Sequence, residues 1–202
     1  MYASIGIHPT DCLSANAGDI AKMKTWFLQK NAEKIVAIGE CGLDFYHPGF
    51  NKQKQYDFFK SQIEMALQFN RALIVHSRNA YDETLEILEE YKNELSRVVI
   101  HCFSYDQKFA DQIIEWKFLL GIGATITYPK NETLRNIIKE IPLTSFVLET
   151  DAPFLPPQVI RGKQNHPKYI RHIAEFIAQL RNISLEEVAD VTTKNAKKLF
   201  NI

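Results

Sequence analysis

The order of hydrophobic and polar positions predicts a chain in which β-strands and α-helices alternate. Short continuous apolar runs, which are typical of parallel strands buried on both faces, predict six strands. These cover residues 2–7, 35–40, 72–76, 98–103, 119–126 and 145–150. Between them, apolar residues that recur every three or four positions predict amphipathic helices. These cover residues 18–30, 53–69, 80–93, 106–116, 131–139 and 168–181, with another near 185–191.

Strands that are joined by helical crossovers run parallel, so the pattern predicts an α/β fold with either an open sheet or a barrel. An open sheet concentrates functional residues at one switch point, whereas here nearly every strand ends on a polar residue. We therefore expect a barrel-type arrangement. No repeat, low-complexity tract or linker divides the sequence, so residues 1–202 are predicted to form a single domain. In the helix over 53–69, the period turns Phe59 and Ile63 inward and Lys60 and Gln62 toward solvent.

Four of the apolar runs end on residues that can bind a metal ion. The residues are Glu40, His76, His101 and, after the run 146–148, Glu149 and Asp151, which a two-residue period places on the same side. Each one alone has an ordinary explanation, since a strand-end carboxylate is usually solvated and a buried histidine is often bonded to backbone. Two histidines, His76 and His101, and two carboxylates, Glu40 and Asp151, at equivalent strand ends instead predict a metal site. These ligands suit zinc, manganese, nickel or iron.

Basic side chains near these strand ends are candidates for binding an anion. Arg78 lies two residues after His76, so the two side chains share a side of an extended chain. A surface ion pair explains Arg78 as well as a fork on a phosphate does. The loop 161–167 combines Arg161, a glycine and a following helix, a combination that can hold phosphate. His8 ends the first strand, and among a ligand, a bonded structural histidine and a substrate contact we favour the substrate contact.

The composition of the chain indicates how a charged substrate is attracted and in which compartment the protein is expected. The 24 basic and 24 acidic residues give a net charge of +0, so no global field attracts a polyanion and any such substrate must be held locally. Three cysteines without CxxC spacing predict a reducing compartment, and we expect the cytoplasm. No apolar run approaches the roughly 20 residues of a membrane span. The sequence indicates no protein partner.

Without a Ser-His-Asp arrangement or a nucleotide-binding glycine loop, hydrolysis by metal-activated water is the simplest mechanism.

Seven segments resemble, in order, the signatures of TatD-type metal-dependent deoxyribonucleases. They are residues 6–9, 39–44, 76–78, 101–104, 148–153, 161–165 and 193–200, which together extend over nearly the whole chain. This resemblance implies a TIM-type barrel of the amidohydrolase-like superfamily. It also implies a divalent-metal site that hydrolyses phosphodiester bonds of DNA, as a 3′-to-5′ exonuclease.

The resemblance also implies roles for individual residues. Glu40 would bridge two ions, His76 and His101 would hold one of them, and Asp151 would bind the other and help to deprotonate the attacking water. Arg78 and the loop that contains Arg161 and Asn165 would contact phosphate. Neither the number of ions, one or two, nor the choice among magnesium, manganese and zinc follows from the sequence.

The sequence departs from the family pattern at its start. Members of the family begin with a strand that carries an Asp-x-His-x-His motif, followed by a second strand and helix, before the segment that matches residues 2–9 here. A TIM barrel takes about 250 residues. We therefore expect an N-terminally truncated, incomplete barrel with six of eight strands and without the first two β/α units. One ion would keep Glu40, His76 and His101, while the other would keep only Glu40 and Asp151.

Two alternatives to a nuclease follow from the same residues. The first is a related barrel hydrolase that cleaves an ester or an amide with the same metal and water. The second is a catalytically impaired, truncated homologue that acts as an interaction module.

Overall fold

The computed structural model describes residues 1–202, which divide into two compact units. The first unit contains Met1–His101 and Leu199–Ile202, and the second contains Cys102–Lys198. None of the helices is both long enough and apolar enough to cross a membrane.

The first unit contains four parallel strands and three helices. The strands are β1 (Ala3–Ile5), β2 (Ile35–Asp44), β3 (Ala72–Arg78) and β4 (Val98–Ile100). They pair in chain order, β1 with β2, β2 with β3 and β3 with β4. The helices are α1 (Ala17–Trp26), α2 (Lys52–Gln68) and α3 (Tyr81–Tyr91).

The second unit contains the remaining two strands, β5 (Leu119–Ile122) and β6 (Phe146–Leu148), which also pair in parallel. Its helices are α4 (Gln107–Glu115), α5 (Glu132–Glu140), α6 (Ile170–Arg181) and α7 (Leu185–Phe200), and the last residues of α7 belong to the first unit. The predicted α/β organisation with six parallel strands is therefore confirmed.

Asparagine and aspartate side chains begin several of these helices. Asn16 and Asp19 form a capping box at the start of α1. Asn51 accepts a hydrogen bond from the backbone N–H of Lys54 at the start of α2, and Asp106 accepts one from Phe109 in α4. These bonds satisfy N–H groups that have no partner within the helix, so the sequence itself fixes where the helices start.

Strand β2 is longer than predicted, because it continues past Glu40 to Asp44. Gly39 and Gly42 make this possible, since their φ angles of +137° and +139° are rarely adopted by residues with a side chain. A Cβ atom at Gly39 would lie 2.5 Å from the backbone oxygen of Ile74, and one at Gly42 would collide with the backbone oxygen of His76. The glycines therefore let β2 approach β3 closely beside the predicted metal ligands.

Other boundaries also differ from prediction, and β1, β4 and β6 are each shorter than expected. β5 ends at Ile122 rather than 126, and residues Ala124–Thr127 form a short 3-10 helix. Helix α7 continues to Phe200 rather than 191, because Val188, Thr192 and Leu199 form one buried stripe along it. The predicted faces of α2 were right for Phe59 and Ile63 and wrong for Gln62, which is fully buried.

Candidate metal centre

Strands β2 and β3 bring a carboxylate and an imidazole together in the first unit. Gly42 pairs with His76 in the register of the two strands, and Glu40 precedes Gly42 by two residues. Period-two alternation puts Glu40, Gly42 and Asp44 on one side of β2. Because Gly42 has no side chain, Glu40 and Asp44 can both reach the His76 ring.

Three imidazole nitrogens surround one oxygen of Glu40. Its Oε1 atom lies 2.7 Å from His76 Nδ1, 3.8 Å from His8 Nε2 and 3.8 Å from His101 Nε2. The nitrogens of His8 and His76 are themselves 3.2 Å apart. The structure thus brings together Glu40, His76 and His101, as predicted, and adds His8.

This set of donors fits a divalent cation. The ligand atoms of His8, Glu40 and His76 all lie within 4.8 Å of one another. In a tetrahedral site with metal–nitrogen bonds of about 2.0–2.1 Å, neighbouring ligand atoms are roughly 3.3 Å apart. Imidazole nitrogen combined with carboxylate oxygen is the donor mixture that zinc, manganese and iron accept. The residues present could therefore hold a metal ion.

The surroundings of Glu40 and His8 favour the protonation states that bind a cation. Burial acts to raise the pKa of Glu40, but the hydrogen bond with His76 and the nearby rings of His101 and His8 outweigh it and hold the pKa below its ordinary value. Burial and the adjacent His76 ring lower the pKa of His8, which favours the neutral imidazole. A carboxylate and a neutral imidazole are both competent ligands.

Asp44 is a functional candidate that the sequence analysis missed. Its side chain is fully buried, and its Oδ2 atom lies 2.9 Å from His76 Nε2 and 2.9 Å from His47 Nδ1. Its Oδ1 atom accepts hydrogen bonds from the backbone N–H groups of Tyr46 at 2.9 Å and His47 at 3.0 Å. Although burial opposes ionisation, these bonds from His47, His76 and Tyr46 lower the pKa of Asp44 to about 2. The period of β2 could have revealed Asp44, had the strand not been ended at Glu40.

Two buried glutamines of α2 support this region from behind. Gln55 accepts a hydrogen bond from the backbone N–H of Asp44 and donates to the backbone oxygens of Asp44 and Pro9. Gln62 accepts from the backbone N–H of Ile7 at 2.7 Å and donates to its oxygen at 3.1 Å. Through these bonds α2 holds the chain on either side of His8 and the backbone of Asp44.

His8 itself is oriented by its neighbour Thr10. The backbone N–H of Thr10 lies 3.3 Å from His8 Nδ1, and the Thr10 hydroxyl lies 2.6 Å from the same nitrogen. The ring therefore presents Nε2 to His76 and Glu40. His8 is therefore close enough to Glu40 and His76 to act as a ligand, and the substrate contact that we expected for it stays a prediction.

Arg78 ends β3 and is exposed. Its guanidinium carbon lies 3.7 Å from the centre of the Tyr46 ring, a cation–π contact. The contact holds the guanidinium beside the ring, and its planar fork of N–H groups has the shape that bidentate recognition of a phosphate requires.

The other predicted carboxylates lie in the second unit. Glu149 Oε1 accepts a 2.6 Å hydrogen bond from the backbone N–H of Cys102. Asp151 is half-buried and has a φ of +51°, three residues beyond the end of β6. The predicted two-residue alternation therefore does not extend to Asp151, because the chain leaves the extended conformation first.

The predicted anion loop contains one exposed and one buried site residue. Arg161 is exposed, with its guanidinium carbon 4.4 Å from the centre of the Tyr128 ring. Asn165 is only 2% exposed, and its amide nitrogen donates to the backbone oxygens of Thr150, Phe154 and Leu155. The phosphate contact predicted for Asn165 stays a prediction, and its side chain is already engaged in holding the loop together.

The chain is similar to known proteins in sequence and in structure. The sequence pattern of the TatD-related DNases matches residues 1–201. YabD of Bacillus subtilis, named an uncharacterized metal-dependent hydrolase, is 38% identical over 203 residues, covering 100% of this chain and 78% of YabD. The crystal structure of YjjV, a TatD homologue from Escherichia coli K12, matches with a TM-score of 0.92 and 30% identity, covering 100% of this chain and 77% of YjjV.

A more distant structure shows the fold alone. An uncharacterized amidohydrolase from Saccharomyces cerevisiae matches with a TM-score of 0.80 at 18% identity, covering 98% of this chain and 80% of that protein. TatD and amidohydrolase structures of this kind are TIM barrels, which confirms the predicted fold class.

Proposed function

The chain belongs to the family of TatD-related DNases, which are metal-dependent hydrolases, and we propose that its reaction is the hydrolysis of phosphodiester bonds in DNA. The proposed mode is that of a 3′-to-5′ exonuclease. One observation carries the proposal, namely the three imidazole nitrogens around Glu40 Oε1 at 2.7, 3.8 and 3.8 Å.

The metal ligands proposed in the first unit are Glu40, His76, His101 and His8. A divalent ion, when bound, supplies Lewis acidity that activates water as a nucleophile and polarises a phosphoryl oxygen. Glu40 contributes a negative charge at neutral pH, because its pKa lies below the ordinary value. The histidines contribute neutral lone pairs, and the lowered pKa of His8 supports this for that residue.

Asp151 is proposed as a further metal ligand and as the group that accepts a proton from the attacking water, following the family pattern. The water oxygen attacks phosphorus, its proton passes to the Asp151 carboxylate, and the bond between phosphorus and the 3′ oxygen breaks. The leaving 3′ oxygen takes up a proton from solvent, so that charge and atoms balance.

Two exposed arginines that contact aromatic rings support phosphate as the substrate group. The Arg78 guanidinium lies over the Tyr46 ring and the Arg161 guanidinium lies over the Tyr128 ring. Because the net charge of the chain is +0, attraction of a polyanion depends on such local groups. Asn165 holds the loop that carries Arg161 through its bonds to three backbone oxygens, and its contact with phosphate remains part of the proposal.

Replacement of Arg78 tests the substrate class. We expect Arg78→Ala to reduce kcat/KM for a single-stranded oligonucleotide by about tenfold or more, since a charge-assisted contact contributes roughly 1.5–3 kcal/mol. Hydrolysis of the neutral ester p-nitrophenyl acetate, with the same added manganese, should be unchanged. The matched control is Arg171→Ala, because Arg171 is an exposed arginine that pairs with Glu175.

The alternatives predict different results. Equal losses on both substrates would assign the chain to ester or amide hydrolysis. No hydrolysis of either substrate by the wild-type protein with magnesium, manganese or zinc would favour the non-catalytic interaction module.

A further inference from the structure

We propose that Asp44 is a positioning residue that determines which nitrogen of His76 is available to a metal ion. The inference rests on the proposed metal site. It adds that the buried carboxylate of Asp44 determines which nitrogen of the His76 ring keeps its proton. Asp44 is not itself proposed to touch the metal or the substrate.

The His76 ring has a carboxylate oxygen at each nitrogen. Nδ1 lies 2.7 Å from Glu40 Oε1, and Nε2 lies 2.9 Å from Asp44 Oδ2. An imidazole that binds a metal ion gives one nitrogen to the ion and keeps an N–H on the other, and an ionised carboxylate can only accept a hydrogen bond. A bound ion would therefore replace one of the two contacts and leave the other as a hydrogen bond.

Asp44 takes the single N–H of the neutral ring for a structural reason. Its side chain is fully buried, and it faces donors on both oxygens, two backbone N–H groups at Oδ1 and two ring nitrogens at Oδ2. A buried acceptor that loses a donor costs free energy that solvent does not return. Glu40 is about a third exposed and can accept from water, so the N–H belongs on Nε2.

Nδ1 is then the nitrogen left for the ion, and it lies 2.7 Å from Glu40 Oε1, a partly exposed carboxylate oxygen that can bind the same ion. The pair is therefore preorganised for a metal ion at Nδ1. This is the general arrangement in which a metal-binding histidine gives its other ring N–H to a carboxylate.

His8 is held in a different way. Its Nδ1 accepts from the backbone N–H of Thr10 at 3.3 Å, and the Thr10 hydroxyl lies 2.6 Å from the same nitrogen. The buried carboxylate of Asp44 therefore positions His76 and not His8. Gln55 adds rigidity, because it bonds both the N–H and the C=O of Asp44.

The test uses nuclear magnetic resonance on protein labelled with ¹⁵N at histidine and loaded with ¹¹³Cd. In the wild-type protein we expect coupling between ¹¹³Cd and His76 Nδ1, together with a proton on Nε2. Coupling to Nε2 of His76 would overturn the proposal. Absence of coupling to every histidine would instead remove the proposed metal site, so the two failures are distinguishable.

Variants at Asp44 provide the second arm of the test. Asp44→Asn and Asp44→Ala should each lower affinity for zinc about 10- to 100-fold. Both should also lower kcat for an oligonucleotide while leaving KM within about twofold. The matched control is Asp57→Asn, the same chemical change at an exposed aspartate of α2 that bonds Gln53. Unchanged zinc affinity in both Asp44 variants would overturn the proposal, and the wild-type experiment decides it even where a variant does not fold.

Discussion

Glu40 and Asp44 lie four residues apart on one strand, and their surroundings favour the ionised form in different ways. Glu40 is partly exposed and is stabilised by imidazoles, whereas Asp44 is buried and is stabilised by four hydrogen-bond donors. Because Glu40 is partly exposed, a ligand can replace water at its carboxylate. Asp44 is buried and has no such space. This difference separates a residue that binds a ligand from a residue that positions a neighbour.

The low pKa of Asp44 predicts a pH dependence of stability. A carboxyl group whose pKa falls from 3.8 to about 2 on folding stabilises the folded chain fully above pH 3.8, and this contribution is lost as the pH falls through about 2. The shift corresponds to about 2 kcal/mol. We expect urea unfolding of metal-free wild-type protein between pH 5 and pH 2.5 to lose more unfolding free energy than Asp44→Asn does. Identical pH dependence in the two proteins would contradict the assigned role of Asp44.

At the residue scale the sequence predicts the ligands better than their supports. Glu40, His76 and His101 each end an apolar run, which makes them visible without a structure. Asp44 lies four residues beyond the end of such a run, so only a strand extended past Glu40 shows that it shares a side with Glu40. His47 lies beyond β2, and no period marks it as a neighbour of Asp44. The amide of Asn165 can donate a hydrogen bond to phosphate, so the sequence made it a candidate. Only the structure shows that its amide nitrogen already donates to three backbone oxygens within the loop.

Helix α2 does more than cover the sheet. Gln55 and Gln62 are buried on its inner face and bond the backbone next to Asp44 and His8, as a neighbouring strand would. A hydrophobic period cannot foresee this, because it assigns every polar residue to solvent. The prediction for Gln62 was wrong for that reason.

Replacement of Gln62 tests the role of α2. Gln62→Leu fills the same space but leaves the N–H and C=O of Ile7 without their partner, so we expect a loss of about 2 kcal/mol in unfolding free energy. The control Gln53→Leu, on the exposed face of α2, should change it by less than about 0.5 kcal/mol. Urea denaturation measures both. Equal stability of Gln62→Leu and the wild-type protein would show that the two backbone groups do not depend on Gln62.

Element boundaries depended on tertiary contacts that the sequence does not display. Strand β2 continues past Glu40 because two glycines permit close approach to β3, whereas an apolar run alone stops at the first charged residue. Helix α7 continues because its buried stripe includes Thr192, which a hydrophobic pattern does not count. The order of the six strands and seven α-helices, by contrast, followed from apolar runs and helical periodicity.

For the whole molecule, the order of the strand-end signatures indicated the family. The structure adds the distances among the side chains around Glu40. The chain spans 78% of YabD and 77% of YjjV. The first unit carries four proposed metal ligands, His8, Glu40, His76 and His101. The ligand atoms of His8, Glu40 and His76 lie within 4.8 Å of one another, and His101 Nε2 lies 3.8 Å from Glu40 Oε1. These distances support the proposal that this unit binds a metal ion.

The most direct test of the central claim is the rate at which nucleotides are released from a single-stranded oligonucleotide by metal-stripped protein after manganese is added. The wild-type protein should be inactive without metal and active with it. Glu40→Gln, which keeps the size of the side chain but removes its charge, should be slower by about 100-fold or more, whereas Glu86→Gln at an exposed position should match the wild-type protein. Equal rates for Glu40→Gln and the wild-type protein would contradict the account.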